Sequence, residues 1–365
     1  MILFRADGNS NIGLGHVMRC LSIADAFKKA GENCLFVTAD HELHNTIVDR
    51  GHKNLVLNSN YDHMENELEA LKQTIGTEQV NVVFVDSYYV TDSYLKSLGQ
   101  FCAKRHIMLV YIDDVLAFPY PCDVVLNYNI YANIEDYKHL YRDHSEPDFL
   151  LGAAYAPLRA EFQNLSDEPV NHVGKNILIS TGGADFEHIG LEIVKTIIAH
   201  KEWENYKFHF IVGTMNEDKD EIISLAKGQE NIVLYQGVKK MAELMRSCDI
   251  AISAAGSTLY ELCSTHTPTI TYILADNQIP GANGFEEKGV LKCVGDIRIL
   301  GASALSEKLL SEGIKLVDDY DERCAIASRM KSVVDGKGAD RIVQRITESW
   351  NLIGVITYAV QDKDT

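Results

Sequence analysis

A histidine among glycines is the first place in this sequence where residue type and spacing indicate chemistry. His16 ends the stretch 8–16, whose three glycines follow a short apolar run over 1–4. Apolar residues then recur at helical spacing, so the pattern predicts a strand, a glycine-rich turn and a helix. Glycines let backbone approach a ligand, helix N-termini offer N–H groups that suit a phosphate, and an imidazole suits proton transfer near neutral pH. His16 is therefore a candidate for catalysis, and Gly13 and Gly15 for contact with a substrate.

The same stretch has a plainer interpretation, in which His16 only caps or packs the turn. The dinucleotide spacing GxGxxG is absent, because Arg19 follows Met18 where a third small residue would stand. The Walker pattern is absent as well. The motif by itself therefore leaves both interpretations open.

A second stretch of small residues, Ser253 to Glu261, follows another apolar run. Gly256 would let backbone approach a diphosphate, while Ser257 and Thr258 can cap the next helix with their N–H groups facing an anion. Glu261 lies about one helical turn further on, where a carboxylate can accept both hydroxyls of a ribose. A capping interaction or a solvated helix face would explain the same residues.

Two further polar loops follow predicted strands. Asn277 and Gln278 could read sugar hydroxyls and acetamido groups with their amides, although loops are usually polar and composition alone favours an ordinary loop. Gly182 and Gly183 open the second half of the chain in the same position after a strand. We take all four as candidates for substrate binding.

Single polar residues complete the candidates. Tyr88 could donate a hydrogen bond to a substrate or simply pack on the surface, and Arg159 could be a substrate cation, although most arginines pair with surface acids. Asp113 and Asp114 could orient a base or bind a metal. Adjacent carboxylates at a strand end are frequent caps, and no further ligand is spaced to help them, so we predict no metal site.

The motifs that would indicate covalent acyl chemistry are missing. The sequence has no GxSxG elbow and no cysteine placed beside a helix N-terminus with a partnered histidine. One base together with loops that hold a nucleotide suits attack by water, or by an acceptor hydroxyl, on a nucleotide sugar.

Strand-like and helical patterns alternate through most of the chain and predict parallel sheets with helices on both faces. The alternation breaks in the polar segment 163–174 and then restarts. We predict an N-terminal domain over 1–165 with the histidine loop, a nucleotide-binding domain over 172–335, and a C-terminal helix and tail over 336–365 that could pack back on the first domain. The segment 127–149 looks irregular. Ligands bind beyond the carboxyl ends of parallel strands, so the candidate loops would line one cleft between two Rossmann-like domains.

Composition limits the partners. The chain has 365 residues and a formal net charge of -18, which argues against nucleic acid and against anionic membrane surfaces. Its eight cysteines show no CxxC spacing, and neither a signal peptide nor a membrane-spanning run is visible. We expect a cytoplasmic protein with no obligate protein partner.

Several motifs in order resemble a known family, the UDP-2,4-diacetamido-2,4,6-trideoxy-β-L-altropyranose hydrolases of pseudaminic acid biosynthesis. The motifs are RADGNSNIGLGHVMRCLSIADAF, DSYYV, YIDD, LLGAAYAPLRAEF, STGGAD, SAAGSTLYELCSTHTP and ADNQ, and DGKGADR extends them near 335–341. That family is similar in fold to the peptidoglycan UDP-N-acetylglucosamine transferase. The resemblance implies the GT-B architecture and an enzyme that needs neither metal nor cofactor.

The resemblance also implies roles for individual residues. His16 would be the general base for a water that displaces UDP with inversion, and a neighbouring helix N-terminus should keep its ring neutral. Tyr88 and Asn277 would contact or orient sugar and water. Glu261 would bind the ribose, and Ser257 with Thr258 the diphosphate. Backbone near 238–241 would read the uracil.

Three alternatives remain at this point. A GT-B glycosyltransferase would use a sugar hydroxyl in place of water. A hydrolysing epimerase would act on a related UDP-diacetamido sugar, as in a legionaminic-type pathway. A non-catalytic protein would bind the nucleotide sugar without turnover, although the histidine argues against it.

Overall fold

The computed structural model describes residues 1–9 and 12–361, and side chains as far as Asn351. Ser10 and Asn11 of the glycine-rich stretch lie outside the described residues. So does 362–365, the end of the predicted C-terminal tail. By contacts the chain divides into two compact units, one formed by Met1–Ala160 with the chain from Lys337 onward, the other by Glu161–Gly336. The domain limits given above stay predictions.

The first unit is built on a seven-stranded sheet in which every pairing is parallel, with the order β3-β2-β1-β4-β5-β6-β7. Its strands are β1 (Ile2–Ala6), β2 (Cys34–Thr38), β3 (Lys53–Val56), β4 (Val82–Asp86), β5 (Met108–Ile112), β6 (Val124–Asn127) and β7 (Asp148–Leu151). Its helices up to the end of β7 are α1 (Gly15–Lys29), α2 (His44–Asp49), α3 (Leu68–Thr77), α4 (Asp92–Ala103) and α5 (Ile134–Leu140).

Both faces of this sheet are buried, as a parallel sheet covered by helices requires. The central strands β1, β2, β4 and β5 are buried along their whole length. On one face Phe4 stacks between Phe36 and Phe84, with ring centroids 5.0 and 4.8 Å away. Val17 and Leu21 of α1 pack into the same core, so the apolar side of the helix fixes where its first turn lies.

The second unit repeats the plan with six parallel strands in the order β10-β9-β8-β11-β12-β13. These are β8 (Asn176–Ser180), β9 (Lys207–Ile211), β10 (Ile232–Tyr235), β11 (Ile250–Ala254), β12 (Thr269–Ile273) and β13 (Leu291–Asp296). The helices are α6 (Ile189–Ala199), α7 (Lys219–Ala226), α8 (Met241–Arg246), α9 (Thr258–Ser264), α10 (Ile279–Glu287), α11 (Ile297–Leu300), α12 (Ala302–Asp318) and α13 (Tyr320–Val333).

The strands predicted from alternation are confirmed, but the view of 127–149 as irregular was wrong. That segment contains α5 and leads into the edge strand β7. β13 was also missed. Both strands lie at a sheet edge and are only partly buried, so their sequences lack the continuous apolar run that marks a central strand. None of the described helices combines the length and the apolar composition that a membrane crossing requires.

The last helix, α14 (Gly338–Gln361), returns to the first unit and packs on α1. Ile342 and Ile346 are buried in the core that also holds Val17. The helix starts at Gly338, where a Cβ would lie 2.1 Å from the carbonyl oxygen of Ala156. The helix that carries His16 is therefore supported from outside by the C-terminal part of the chain.

We predict that Ile342→Ala lowers the free energy of unfolding of the first unit by about 2–4 kcal/mol, because it leaves a cavity under α1. Guanidinium unfolding followed by circular dichroism measures the change. The matched control is Arg345→Ala, an exposed position of the same helix, which should change stability by less than about 0.5 kcal/mol. Equal losses in both variants would contradict the packing described here.

Candidate active site

Polar side chains gather at the carboxyl ends of the central strands of the first unit. Asp86 is the last residue of β4 and pairs in register with Ala6, the last residue of β1. The glycine-rich turn leaves β1 at this point and ends at His16, the second residue of α1. Strand pairing therefore brings the end of β4 beside the start of α1, although 70 residues separate Asp86 from His16.

His16 and Asp86 form a buried hydrogen-bonded pair. Nδ1 of His16 lies 2.6 Å from Oδ1 of Asp86, and their side chains are 7% and 1% exposed. Burial by itself would raise the pKa of Asp86, but the charges of Arg19 and His16 hold it well below its usual range. An ionised carboxylate accepts only, so Nδ1 carries the proton and donates it. Nε2 of the neutral ring is then left to accept a proton.

Arg19 binds the carboxylate of Asp86, the acidic member of this pair. Its Nε donates to Oδ2 of Asp86 at 2.6 Å and its Nη2 to Oδ1 at 2.5 Å. Its Nη1 donates to Oδ2 of Asp114, a residue in the loop after β5, at 2.7 Å. One guanidinium thus joins two carboxylates from neighbouring strand ends.

Tyr88 closes the other side of the imidazole. Its ring stands edge-on to that of His16, with centroids 4.5 Å apart, and its hydroxyl donates to Asp114 at 3.1 Å. Burial and the charge of Asp114 raise the pKa of Tyr88, so the phenol stays protonated and keeps a proton to donate. The structure therefore brings His16 and Tyr88, two of the predicted residues, into contact.

Asp113 and Asp114 have different surroundings. Asp113 is fully buried and accepts hydrogen bonds from the backbone of Val115 and Leu116 and from two tyrosine hydroxyls. It anchors the loop after β5, while Asp114 faces Arg19 and Tyr88. Within 1–9 and 12–361 no three His, Cys, Asp or Glu side chains cluster as metal ligands would.

The glycines before α1 leave its N-terminus open. Gly13 has φ +76° and donates its N–H to the carbonyl oxygen of Asn9 at 2.8 Å. Gly13 and Gly15 are exposed, and a Cβ on either would meet no atom within 4 Å. Leu14 at the N-cap makes no side-chain capping bond. Within 1–9 and 12–361, the residue at the N-cap therefore leaves the first-turn N–H groups of α1 without a side-chain cap, as a site for an oxygen ligand requires.

In the second unit the predicted residues lie at the carboxyl ends of β8, β11 and β12. Gly182 and Gly183 follow β8, and Gly182 has φ +96°, a conformation that only glycine adopts without strain. A Cβ on Gly213, which follows β9, would lie 2.1 Å from the carbonyl oxygen of Gly183, so the two loops touch through backbone. These loops form one glycine-lined surface.

The turn after β11 leads directly into α9. Ser257 is exposed and occupies the N-cap, but its side chain makes no capping bond, so the capping role that its type allows is not used. Gly256 precedes it, Thr258 begins the helix and Glu261 lies in the first turn. The first three residues are consecutive, and Glu261 follows three positions after Thr258 in the same helix.

The last predicted residues are separated from this turn in sequence. Asn277 is exposed in the short 3-10 turn after β12, whereas Oε1 of Gln278 accepts the N–H of Leu274 at 2.9 Å and so supports the same turn. Arg159 is half-buried in the irregular segment after β7.

Sequence reasoning missed Asp86 and Arg19 as partners of His16, and it offered Asp114 only as one of two adjacent carboxylates that could orient a base. A signal for Arg19 existed, because residues three apart lie on one face of a helix. Asp86 and Asp114 stood at predicted strand ends, but their partners depend on the order of strands in the sheet.

Comparisons with known proteins concern the family resemblance and the fold of the chain. Residues 176–345 match the glycosyltransferase family 28 C-terminal domain. A UDP-2,4-diacetamido-2,4,6-trideoxy-β-L-altropyranose hydrolase of Campylobacter jejuni is 26% identical over 293 residues, 79% of this chain and 97% of that protein. A Helicobacter pylori protein named for that hydrolase and for pseudaminic acid cytidylyltransferase is 28% identical over 288 residues, 77% of this chain.

The resemblance to these hydrolases is confirmed. The chain spans about half the length of two curated relatives: it covers 46% of the H. pylori protein and 55% of an uncharacterised protein of Methanocaldococcus jannaschii, which is 25% identical over 287 residues, 75% of this chain. MurG of Acinetobacter baumannii has a similar structure, with a TM-score of 0.64 at 13% identity over 95% of this chain and 99% of that one. The predicted fold, two parallel α/β units of the GT-B type, is confirmed.

Behind the Gly182–Gly183 turn, Asp185 caps α6. Its carboxylate accepts the N–H groups of Ile189 and Gly190 at 3.2 and 2.8 Å, and 5% of the residue is exposed. The hydrogen bonds lower the pKa of Asp185, but the larger effect of burial raises it to about 6. Between about pH 4 and pH 6 the native protein keeps a proton that the unfolded chain has released, so stability falls as the pH rises through this range.

We predict that Asp185→Asn removes this pH dependence. From pH 4 to pH 7 the free energy of unfolding of the wild type should fall by about 2–3 kcal/mol relative to that of the variant. A difference of about two units between the native and unfolded pKa values of Asp185 corresponds to that energy. Urea unfolding of both proteins at several pH values measures the difference. A wild-type–variant difference that is constant with pH would contradict the raised pKa.

Proposed function

We propose that this chain hydrolyses a UDP-2,4-diacetamido-2,4,6-trideoxyhexose at its anomeric carbon, releasing UDP and the free sugar for pseudaminic acid synthesis, without a metal ion. The observation that carries the proposal is the 2.6 Å hydrogen bond between Nδ1 of His16 and an ionised, buried Asp86. Such a pair leaves a nitrogen ready to take a proton from water. The names of the C. jejuni and H. pylori relatives support the choice of substrate.

In the proposed reaction Nε2 of His16 accepts a proton from water while the water oxygen attacks the anomeric carbon. The bond from that carbon to the diphosphate oxygen breaks, its electron pair leaves with UDP, and the configuration inverts. Asp86 stabilises the imidazolium that forms, and the proton later passes to solvent. Tyr88 would hold the sugar or the water through its hydroxyl.

The leaving group needs no separate acid if its charge is held by N–H donors. We assign this role to the turn formed by Gly256, Ser257 and Thr258, while Gly13 and Gly15 stay candidates for contact with the substrate. Glu261 would accept the ribose hydroxyls. Asn277 would contact the sugar, whereas the hydrogen bond of Gln278 to Leu274 supports that loop.

Sugar transfer is the second candidate, because residues 176–345 match a glycosyltransferase domain. Incubation of purified protein with the UDP-2,4-diacetamido-trideoxyhexoses, with no acceptor added, separates the two. Hydrolysis predicts equal amounts of UDP and free sugar, and NMR of that sugar also distinguishes a hydrolysing epimerase. UDP release that requires an added sugar acceptor would favour the transferase.

We predict that His16→Ala lowers kcat by about 10²–10⁴-fold, the usual contribution of a general base, while the Kd for UDP changes little. Asp86→Asn should also lower kcat, because an amide can donate to Nδ1 and favour the wrong tautomer. Steady-state kinetics and calorimetric titration with UDP provide the measurements. The control is His52→Ala, which removes another buried histidine of this unit. Full turnover in His16→Ala would refute the assignment.

We predict that Glu261→Ala weakens binding of UDP roughly tenfold, since it removes one or two hydrogen bonds to the ribose. Binding of uracil-containing ligands that lack the ribose hydroxyls should not change. Glu322→Ala, which removes a carboxylate from the first turn of α13, is the matched control. A Kd for UDP that is equal in both variants would show that Glu261 does not contact the nucleotide.

A further inference from the structure

Arg19 connects two carboxylates near His16 in the first unit, those of Asp86 and Asp114. Its guanidinium donates hydrogen bonds to both carboxylate oxygens of Asp86 and to Asp114. Its Nη2 also lies 3.1 Å from Nδ1 of His16. Asp114 in turn accepts the hydroxyl of Tyr88. The base and the predicted substrate-contacting tyrosine are therefore ordered by one side chain, which is 10% exposed.

We propose that Arg19 is a positioning residue that sets the charge balance of the His16–Asp86 pair and holds Tyr88 beside it through Asp114. This inference rests on the proposed function, since it assigns Arg19 a part in the same hydrolysis. Nothing about the role requires Arg19 to touch the substrate.

The electrostatic part of the argument concerns Asp86. A buried carboxylate paired with His16 alone would favour an imidazolium strongly, and a ring that is already protonated cannot accept a proton from water. The guanidinium neutralises Asp86 and places a second positive charge next to the ring, which opposes protonation. Arg19 therefore compensates the charge of Asp86 and leaves this carboxylate available to orient the imidazole.

The geometric part concerns the shape of the guanidinium. Its planar fork can bind one carboxylate with two parallel bonds and a second carboxylate with the remaining donors, which an ammonium group cannot reproduce. The charged and titratable groups that face the pair are Arg19 and Cys20 from α1, Asp86 and Tyr88 after β4, Asp114 after β5, and Tyr128 after β6. Arg19 is the cation of this set.

The first unit offers a matched control for this network. Asp25, near the other end of α1, also joins a histidine and an arginine: it lies 2.8 Å from Nε2 of His52 and pairs with Arg50. Nine residues of helix separate Asp25 from His16, about 13 Å along the axis. Arg50→Met thus removes the same side chain from the same kind of triad, away from the glycine-rich turn.

The experiment compares Arg19→Met, Arg19→Lys and Arg50→Met with the wild type in kcat/KM for the UDP-sugar between pH 5 and pH 9. For Arg19→Met we expect the acid side of the plot of kcat/KM against pH, where activity rises with pH, to shift by about one to two units to higher pH. Activity should then fall roughly tenfold or more at pH 7 and recover at pH 9. Arg19→Lys keeps the positive charge but loses the forked guanidinium. The acid side of its pH profile should therefore shift less, while kcat falls. Arg50→Met should follow the wild-type profile.

The two levels of the proposal fail differently. If the wild type releases no UDP, or if His16→Ala keeps its turnover, the proposed hydrolysis itself is wrong. If those proteins behave as proposed but Arg19→Met loses activity equally at every pH, or keeps the wild-type profile, only the role of Arg19 is wrong. If Arg19→Met does not fold, Arg19→Lys provides the test. A shift of the acid side of its pH profile to higher pH supports the role of Arg19, and an unchanged profile contradicts it.

Discussion

The ionised carboxylate of Asp86 is the interaction on which the candidate site depends. It is buried at the end of β4, and burying a charge is costly unless it is compensated. The compensation comes from Arg19 and His16, both on α1, so the requirement to satisfy one carboxylate fixes the register of that helix against the sheet. The same contacts fix the orientation and the tautomer of the imidazole. Packing and chemistry share one constraint here.

Parallel topology explains why the polar residues lie where they do. All strands of a parallel sheet end at one edge of that sheet. In the first unit this edge carries the loops after β1, β4, β5 and β6, and in the second unit the corresponding edge of its own sheet carries the loops after β8, β9, β11 and β12. The strands themselves are filled by apolar side chains packed on both faces. The loops can therefore vary in chemistry while the sheets that position them stay the same.

Two triads of the same residue types, each with at least one member on α1, show that residue types alone do not define a site. His16, Asp86 and Arg19 lie beside exposed glycines and an aromatic ring, and His16 uses Nδ1 towards its acid. His52, Asp25 and Arg50 join the start of β3 to the C-terminal end of α1, and His52 uses Nε2 towards its acid. The chemistry proposed for His16 follows from its surroundings, since the residue types are equal in both places.

The sequence by itself determined the alternation of strands and helices, the position of the candidate loops after strands, and the glycine-rich turn with His16. These follow from periodicity and turn chemistry, which act over a few residues. Only the tertiary structure decided that Asp86 and Arg19 meet, that Asp113 anchors a loop while Asp114 faces the site, and that Gln278 binds its own turn. Those contacts depend on which strands are neighbours: β1 lies beside β4 although about 80 residues separate them, and no local pattern encodes that choice.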